Sequence, residues 1–362
     1  MNGDRNVSLK NIINELQCLG VRIDQPHQGR KGGAGPAEGQ TILLRGIPVS
    51  CPVASAYVEG SPYSIQREGK GYILKKHKEK IAEVTFPSPP RFYQKKTEGG
   101  IPYSQIALLH GVDCLASTVF QRCHNWENSR CGFCGIELSL ASGRTVSLKQ
   151  PRHLSEVAYS ALKEDGITHI TLTTGDQEEE DLAFRHLASC VQALKERTGL
   201  PVHLQFMPPR DLNLLHLLKE AGVDTVGIHI ESFDRKVLES VCPAKARIGM
   251  KKYQECWQMA VDLFGKNQVS SFIIAGLGEE RVSLIEGSEM LCEIGVYPYL
   301  LPLRPIPGTP FASAAPPEPE LLAAVYEEVA ALLSQYQLSW RRVKAGCVRC
   351  GSCSAIIHFE QN

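Results

Sequence analysis

Three cysteines, Cys123, Cys131 and Cys134, lie close together in the chain, directly after the β-like run at residues 117–120. Each thiolate can bind one iron of a [4Fe–4S] cube. Because no fourth cysteine follows nearby, the fourth iron would keep an open position for a small ligand. An electron carrier whose cluster has four cysteine ligands lacks such a position. The spacing of this first triplet therefore predicts a catalytic iron–sulfur cluster.

A second group of cysteines, the tail triplet, consists of Cys347, Cys350 and Cys353. Its Cys-x2-Cys-x2-Cys spacing is typical of bacterial ferredoxins, whose fourth cysteine would fall at position 357, here an isoleucine. A cluster at this place needs a distant ligand, such as His358 or a scattered cysteine, or has an open iron of its own. We predict an auxiliary [4Fe–4S] cluster, with zinc or a redox-active tail as the alternatives.

Zinc is the competing interpretation for both groups. Cys131 and Cys134 could combine with Cys350 and Cys353 in a four-cysteine zinc site. We favour iron–sulfur clusters, because these pairs are far apart in the sequence and a shared zinc site leaves the first cysteine of each triplet without a role. The chain has 13 cysteines, and clustered cysteines in a reducing compartment indicate metal binding or catalysis. We expect most of the scattered ones to be buried small hydrophobic residues.

The composition excludes several classes of partner. The 362 residues include 39 basic and 39 acidic ones without a basic stripe, which argues against a nucleic-acid partner. No apolar run approaches the roughly 20 residues of a membrane-spanning helix. The first residues lack the apolar core of a signal peptide. We therefore predict a cytoplasmic protein that binds neither nucleic acid nor a membrane.

From residue 116 onward, segments of strand-like and helix-like pattern alternate. The strand-like runs are 117–122, 169–174, 202–206, 225–230, 269–274 and 297–301. The helix-like segments between them are 153–165, 180–197, 211–221, 250–264 and 279–294, and Asp211 is expected to cap the third. Such alternation predicts an α/β fold in which parallel strands form a partial (β/α)6 TIM-like barrel. Functional residues should then lie at the C-terminal ends of the strands.

The rest of the chain is predicted to flank this barrel. Residues 1–115 indicate a small mixed α+β accessory domain, with a helix between Ser8 and Gly20 and a hairpin at residues 64–74. The glycine-rich residues 31–36 could cradle a phosphate, but they lack the Walker spacing, so a flexible loop is favoured. We predict the barrel over residues 116–315, followed at 316–362 by a helix and the short cysteine-rich tail.

A cysteine-rich loop that ends in Cys-x-aromatic-Cys after the first strand of a partial barrel resembles the radical S-adenosylmethionine (SAM) superfamily, particularly its biotin synthase-like branch. The resemblance covers roughly residues 115–312. The usual spacing is Cys-x3-Cys-x2-Cys, whereas this chain has Cys-x7-Cys-x2-Cys. The longer first gap enlarges the loop. The whole chain is also similar to a radical SAM group associated with nitrilase gene clusters.

Further motifs match the family at the ends of later strands. Residues 174–176 stand where the family has Gly-Gly-Glu, which holds the methionine amino group, and residues 231–232 stand where it contacts the ribose. Residues 274–279 resemble the Ile-x-Gly-x-x-Glu motif that supports adenine, and residues 302–310 resemble the sixth-strand loop. The resemblance implies that SAM contacts Thr174, Gly175, Asp176, Glu231, Ser232, Ile274 and Gly276.

Structural interpretations of the same residues stay open. The glycines at 175, 276 and 278 could form tight turns, and Asp176 and Glu279 could cap the helices that follow. Arg247 and Lys251 could reach the methionine carboxylate or be solvated surface charges. Arg304 could bind an anionic substrate or form an internal ion pair.

The resemblance implies a radical SAM enzyme with a small-molecule substrate. An electron donor such as flavodoxin or ferredoxin would reduce the cluster of the first triplet, which would cleave SAM to methionine and a 5′-deoxyadenosyl radical that abstracts hydrogen from the substrate. A second hypothesis is sulfur insertion of the lipoyl or biotin synthase type, in which the tail cluster is consumed. A third is a non-catalytic zinc or iron–sulfur binding protein.

Overall fold

The computed structural model of the protein describes residues 8–23 and 39–360. The phosphate-cradle hypothesis for residues 31–36 falls outside these residues. Within the described residues, no helix has the length and apolar character needed to cross a membrane.

The N-terminal part consists of one helix packed on a six-stranded sheet. Helix α1 (Leu9–Leu19) lies directly between Ser8 and Gly20, as predicted, and buries Ile12, Ile13 and Leu16. The strand order is β1-β4-β5-β6-β2-β3, and only the β1–β4 pair is parallel. The predicted hairpin is confirmed as β4 and β5. The strands are β1 (Arg22–Ile23), β2 (Gly39–Leu44), β3 (Ile47–Pro52), β4 (Tyr63–Glu68), β5 (Gly71–Lys76) and β6 (Glu79–Thr85).

A seven-stranded sheet follows, in which the strands keep their chain order. Its first strand is antiparallel to the second, and the other six strands are parallel to one another. This arrangement confirms the predicted partial barrel. The strands are β7 (Leu108–His110), β8 (Cys114–Thr118), β9 (His169–Thr173), β10 (Val202–Gln205), β11 (Thr225–Gly227), β12 (Val269–Ala275) and β13 (Tyr297–Pro302).

Crossover helices connect the parallel strands, because such strands cannot be joined by tight turns. They bury apolar faces against the sheet, as α5 does with Leu187, Val191 and Leu194. Each such side chain contributes about 1.5–3 kcal/mol through its removal from water. The remaining helices are α2 (Trp126–Ser129), α3 (Ile136–Ala141), α4 (Pro151–Asp165), α5 (Glu180–Thr198), α6 (Leu214–Glu220), α7 (Arg235–Val241), α8 (Pro243–Ile248), α9 (Met250–Phe264), α10 (Arg281–Ile294), α11 (Pro319–Gln335), α12 (Cys347–Cys350) and α13 (Ile356–Phe359).

The predicted starts of the first barrel strand and of helix α6 were each wrong by three residues. The first barrel strand was expected at 117–122 but is β8, because Cys114 to Thr118 pair with β9. Helix α6 begins at Leu214 rather than after a cap at Asp211. The Asp211 carboxylate instead accepts the backbone N–H of Asn213 (3.0 Å) in the turn before the helix. The strand error arose because a continuous apolar run does not show where pairing with the neighbouring strand begins. The helix error arose because a residue that can cap a helix can also hold the turn before it.

Strand β11 is shorter than the predicted run 225–230, for a reason that concerns the site. The Ser271 hydroxyl accepts the N–H of Ile230 (3.1 Å), and the Nδ1 atom of His229 accepts the N–H of Phe272 (3.0 Å). These side chains replace two backbone partners, so the regular ladder ends at Gly227. Backbone pairing with β12 resumes at Glu231, whose N–H donates to the carbonyl of Phe272 (3.0 Å) and whose carbonyl accepts the N–H of Ile274 (2.8 Å).

Candidate active site

The two cysteine triplets lie at opposite ends of the barrel interior. The first triplet lies beside Thr118, Thr173 and Gln205, at the C-terminal ends of β8, β9 and β10. The tail approaches the N-terminal ends, where the N–H of Gly346 donates to Nδ1 of His169 (3.3 Å), the first residue of β9.

Two adjacent cavities fill the space between the triplets. The upper cavity, of about 260 Å³, is lined by all three cysteines of the first triplet. The lower cavity, of about 310 Å³, is lined by Cys134 and by all three cysteines of the tail triplet. Both cavities share Phe133, Gln205, His229 and Glu231 as lining residues. A molecule in the lower cavity would thus lie between the two groups of thiols.

The loop of the first triplet is fixed by backbone contacts. The N–H of Cys134 donates to the carbonyl of Cys131 (3.0 Å), and the N–H of Gly132 donates to the carbonyl of Val241 (2.8 Å). A side chain at Gly132 would meet the ring of Phe311 at 2.7 Å. The seven residues between Cys123 and Cys131 contain the single helical turn α2. The longer spacing therefore enlarges the loop, and all three cysteines still line one cavity.

Residues 174–176 brace the loop that carries Cys123. The N–H of Gly175 donates to the carbonyl of Phe120 (2.8 Å), and the N–H of His124 donates to the carbonyl of Asp176 (2.8 Å). The side-chain amide of Asn125 donates to the Asp176 carboxylate (2.7 Å). Burial raises the pKa of Asp176, and the Asn125 hydrogen bond opposes this shift. The segment therefore lines the upper cavity and holds the cysteine loop at the same time.

Gly175 is required by a close approach of two backbone segments. A Cβ atom there would lie 2.2 Å from the carbonyl oxygen of Arg122 and 3.1 Å from Cα of Cys123. No positive φ is involved at this position, in contrast to Gly276, whose φ is 99°. Glycine is therefore needed at position 175 because the cysteine loop packs against it, and not because the backbone forms a tight turn there.

The thiols of the first triplet form a donor set that suits a cluster. All three are free cysteines that line one cavity. Burial, followed by the neighbouring Cys131, raises the pKa of Cys134 to about 12, although the backbone N–H of Ile136 opposes this shift. A bound metal cation would stabilise the thiolate further. Three thiols with an open side fit three irons of a [4Fe–4S] cube.

The shared zinc site is not assembled. Among residues 8–23 and 39–360, no group of three or more histidine, cysteine, aspartate or glutamate side chains is placed to hold one metal ion. A zinc ion needs its thiolates within about 2.3 Å of a single point. The ligands of a cube are spread over different irons, so the wider arrangement of each triplet is compatible with a cluster.

A buried ion pair follows strand β11. The Glu231 carboxylate lies 2.6 Å from Nζ of Lys245, and each side chain is 8% exposed. Burial lowers the pKa of Lys245, but Glu231 together with Tyr253, Cys131 and Cys242 outweighs this effect and holds the pKa above its usual value. Glu231 has a φ of 75°, which is strained for a residue with a side chain. Its Oε2 atom has no hydrogen-bond partner among the described residues and belongs to a side chain that lines both cavities.

His229 is a site residue that the sequence analysis missed. Its ring stacks on Phe272 at 3.6 Å, and Nδ1 accepts the Phe272 N–H. Burial, with the nearby Lys245 charge, holds the pKa of His229 well below its usual value, so the ring is neutral and its proton lies on Nε2. Nε2 has no partner among the described residues. The available signal was strand alternation, which places positions 229 and 231 on one face.

Of the other predicted SAM contacts, one lines a cavity and two do not. Ile274 lines the lower cavity. Ser232 and Gly276 are not among the residues that line either cavity. The Ser232 hydroxyl accepts the N–H of Asp234 (3.2 Å), and the N–H of Gly276 donates to the Glu279 carboxylate (2.7 Å). Glu279 therefore stabilises the turn after β12.

The structure shows the surroundings of three basic residues for which the sequence left open either ligand binding or a structural role. Arg304 lines the lower cavity, but its guanidinium donates to the carbonyl of Ser50 (2.6 Å). Arg247 donates to the Ser129 hydroxyl (2.8 Å). The exposed Lys251 lies 4.0 Å from the carboxylate of Glu255. These contacts favour an internal interaction for Arg304 and surface positions for the other two.

The tail triplet is surrounded by polar side chains from other parts of the chain. Nδ1 of His110 lies 3.3 Å from Sγ of Cys350, and Nε2 lies 3.3 Å from Sγ of Cys353. The side-chain amide of Gln205 donates to Sγ of Cys347 (3.3 Å). His358, the ligand suggested by the sequence, is not among the residues that line the lower cavity.

A buried lysine beside the upper cavity gives a prediction for the pH dependence of stability. Lys149 is 1% exposed, and its ammonium group donates to neutral oxygens of Gln121, Thr145 and Val146. Burial lowers the pKa of Lys149 from 10.5 to about 7. Between these values the unfolded chain binds a proton that the folded chain does not, so stability should rise with pH, by at most about 1.4 kcal/mol per unit.

The measurement compares cluster-free wild type with Lys149→Met. Urea unfolding at pH 7 and pH 9 should show that the wild type gains free energy of unfolding relative to the variant as pH rises. A difference between the two proteins that does not change with pH would contradict the neutral state of Lys149.

Comparison with known proteins gives three findings. Residues 123–286 match the model of the radical SAM superfamily. The chain is 29% identical over 140 residues to bacteriochlorophyllide c C-7(1)-hydroxylase of Chlorobaculum limnaeum, which covers 38% of this chain and 35% of that protein. It is 24% identical over 234 residues to lipoyl synthase of Ectopseudomonas mendocina (strain ymp), which covers 58% of this chain and 64% of that protein. The match thus spans between about a third and two thirds of these relatives.

Two solved structures align with about two thirds or more of this chain. A radical SAM methyltransferase from Sphaerobacter thermophilus aligns over 82% of this chain and 81% of its own, with a TM-score of 0.49 and 11% identity. Methylornithine synthase aligns over 68% of this chain and 72% of its own, with a TM-score of 0.46 and 17% identity. The matched family segment begins at Cys123 and includes the whole first triplet, residues 174–176 and Glu231. The part of this chain that is similar to the radical SAM superfamily is therefore residues 123–286.

Proposed function

We propose that the protein is a radical SAM enzyme that abstracts hydrogen from a small molecule bound inside the barrel. The observation that carries this proposal is the convergence of the first triplet, residues 174–176 and Glu231 on the upper cavity. These are the residues that the family resemblance assigns to the cluster, to the methionine amino group and to the ribose.

The chain would use these residues to hold and orient both cofactors. Cys123, Cys131 and Cys134 would each bind one iron of the cluster and would leave the fourth iron open for SAM. When bound and reduced, the cluster supplies the electron that cleaves SAM. Glu231 would accept a ribose hydroxyl at Oε2, while Lys245 holds the other carboxylate oxygen. The electron would come from a donor protein such as flavodoxin or ferredoxin.

The substrate would lie in the lower cavity, whose size suits a small molecule. Besides Oε2 of Glu231, two buried polar atoms at its wall have no partner among the described residues, Nε2 of His229 and the hydroxyl of Tyr299. Because Nε2 carries a proton, we propose that it donates a hydrogen bond to an acceptor atom of the substrate. A buried donor without a partner is unfavourable, so a substrate that satisfies it gains affinity and selectivity.

The test is anaerobic reconstitution with iron and sulfide, followed by dithionite and SAM. We expect release of 5′-deoxyadenosine, and Cys134→Ala should abolish it together with the iron of the first cluster. Cys190→Ala is the matched control, because Cys190 is a buried thiol of α5 that lines neither cavity. Stoichiometric zinc without iron in the purified protein would refute the proposal.

A second candidate is sulfur insertion, which the position of the tail triplet favours. Cys347, Cys350 and Cys353 line the same cavity as the proposed substrate, so sulfide of an auxiliary [4Fe–4S] cluster would lie within its reach. Loss of iron and sulfide from the tail cluster with each turnover would support this reaction. An intact tail cluster after several turnovers would refute it.

A further inference from the structure

The tail triplet supplies three thiols, and the position of a fourth ferredoxin cysteine is occupied by Ile357. In a [4Fe–4S] cube held by these three thiols, the fourth iron has no cysteine ligand and would be bound by another protein side chain or by an exogenous ligand. The surroundings of the tail triplet decide between these cases.

His110 is the side chain in closest association with the tail thiols. It ends strand β7, is 8% exposed, and places one ring nitrogen 3.3 Å from Cys350 and the other 3.3 Å from Cys353. It also lines the lower cavity together with all three tail cysteines. The next residue, Gly111, approaches the tail so closely that a Cβ atom would lie 2.8 Å from Sγ of Cys350. The end of β7 is thus packed against the tail loop.

Other donors are less suitable as the fourth ligand. Cys114 lines the lower cavity, but its thiol contacts the Thr171 hydroxyl (3.3 Å) and lies in the regular β8–β9 pairing. Cys51 is fully buried and is not among the lining residues of the cavity. His358 also lies outside this lining.

We propose that His110 is the nitrogen ligand of the fourth iron in an auxiliary [4Fe–4S] cluster held by Cys347, Cys350 and Cys353. This inference rests on the proposed auxiliary cluster. Neutral imidazole binds iron through one nitrogen and keeps an N–H on the other, which a cysteine sulfur can accept. The tail cluster then has no open iron for a substrate, and imidazole in place of a thiolate makes its reduction potential more positive.

The test uses the full chain with the first triplet replaced by alanine, so that iron binds at the tail alone. After anaerobic reconstitution and reduction, pulsed electron paramagnetic resonance should detect a directly bound nitrogen. Its coupling should change from ¹⁴N to ¹⁵N when histidine is supplied as ¹⁵N-histidine, a readout that requires neither activity nor a change at His110.

Three variants identify the ligand. His110→Ala should lose the nitrogen coupling, whereas His358→Ala and Cys114→Ala should keep it. His110→Cys should retain four irons without the coupling and shift the potential to a more negative value. If the chain with an intact His110 binds four irons without nitrogen coupling, or if the coupling persists in His110→Ala, His110 is not the ligand. Either result would leave the auxiliary cluster itself standing. Absence of iron would overturn the auxiliary cluster as well.

Discussion

Replacement of Gly175 by alanine is expected to remove most of the iron bound at the first triplet, although no ligand is changed. The new Cβ atom would lie 2.2 Å from the carbonyl oxygen and 2.8 Å from the carbonyl carbon of Arg122. Both are backbone atoms, so no side chain can turn away to relieve the overlap. The segment that carries Cys123 must move, and strain of this kind typically costs about 1–3 kcal/mol.

The movement acts on the cluster because Cys123 follows Arg122 directly. A shift of about 1 Å is enough to reduce catalysis roughly 100-fold when reacting groups must be held in line. We therefore expect 5′-deoxyadenosine formation to fall by at least this factor. Iron and sulfide analysis with the spectrum of the reduced cluster provides a second readout, in which the tail cluster should persist.

Gly60→Ala is the matched control for this experiment. A Cβ atom at Gly60 would meet no atom within 4 Å, and its φ does not lie in the left-handed region. This variant should keep the iron content and the rate of the wild type. Full iron content in Gly175→Ala would contradict the close approach as the constraint that positions the loop.

The second large effect is expected from Lys245→Met. This change leaves the Glu231 carboxylate buried without its cation, and removes a donor from the carbonyl of His229 (2.6 Å). Loss of one partner of a buried pair typically destabilises a protein by about 3–5 kcal/mol. Chemical unfolding of the cluster-free protein should show a loss of this size in the free energy of unfolding.

Two further variants separate the pair from its surroundings. The double variant Glu231→Gln/Lys245→Met removes both charges, so it should recover part of the lost stability, and the double-mutant cycle measures the coupling. Arg185→Met is the exposed control, because Arg185 and Asp181 form a 2.7 Å ion pair with side chains 64% and 59% exposed. Its effect should stay below about 1 kcal/mol. Equal losses in Lys245→Met and Arg185→Met would contradict the buried pair.

The sequence determined those features that depend on neighbouring residues. Helix α1 begins after Ser8, although the Ser8 side chain makes no capping hydrogen bond, and it ends before Gly20, whose φ of 69° is one that glycine adopts without strain. The alternation of strands and helices determined the parallel barrel, because parallel strands need crossover connections. The type and spacing of the cysteines likewise indicated cluster chemistry, since ligand identity is local information.

Tertiary structure decided how distant segments meet. The sequence predicted residues 174–176 as SAM contacts, but only the folded chain shows that Gly175 touches the loop of Cys123. Lys245 joins Glu231 because the chain after α7 folds back over the end of β11.

The tail is the clearest case, because His110 and Cys350 are 240 positions apart in the chain. Sequence periodicity reports the face on which a side chain lies. Contact at this separation depends on strand register and on the path of the tail beneath the barrel, which are set by packing of the whole molecule. The sequence therefore predicted which residues would carry the chemistry, and the tertiary structure decided that two sets of thiols face one interior space.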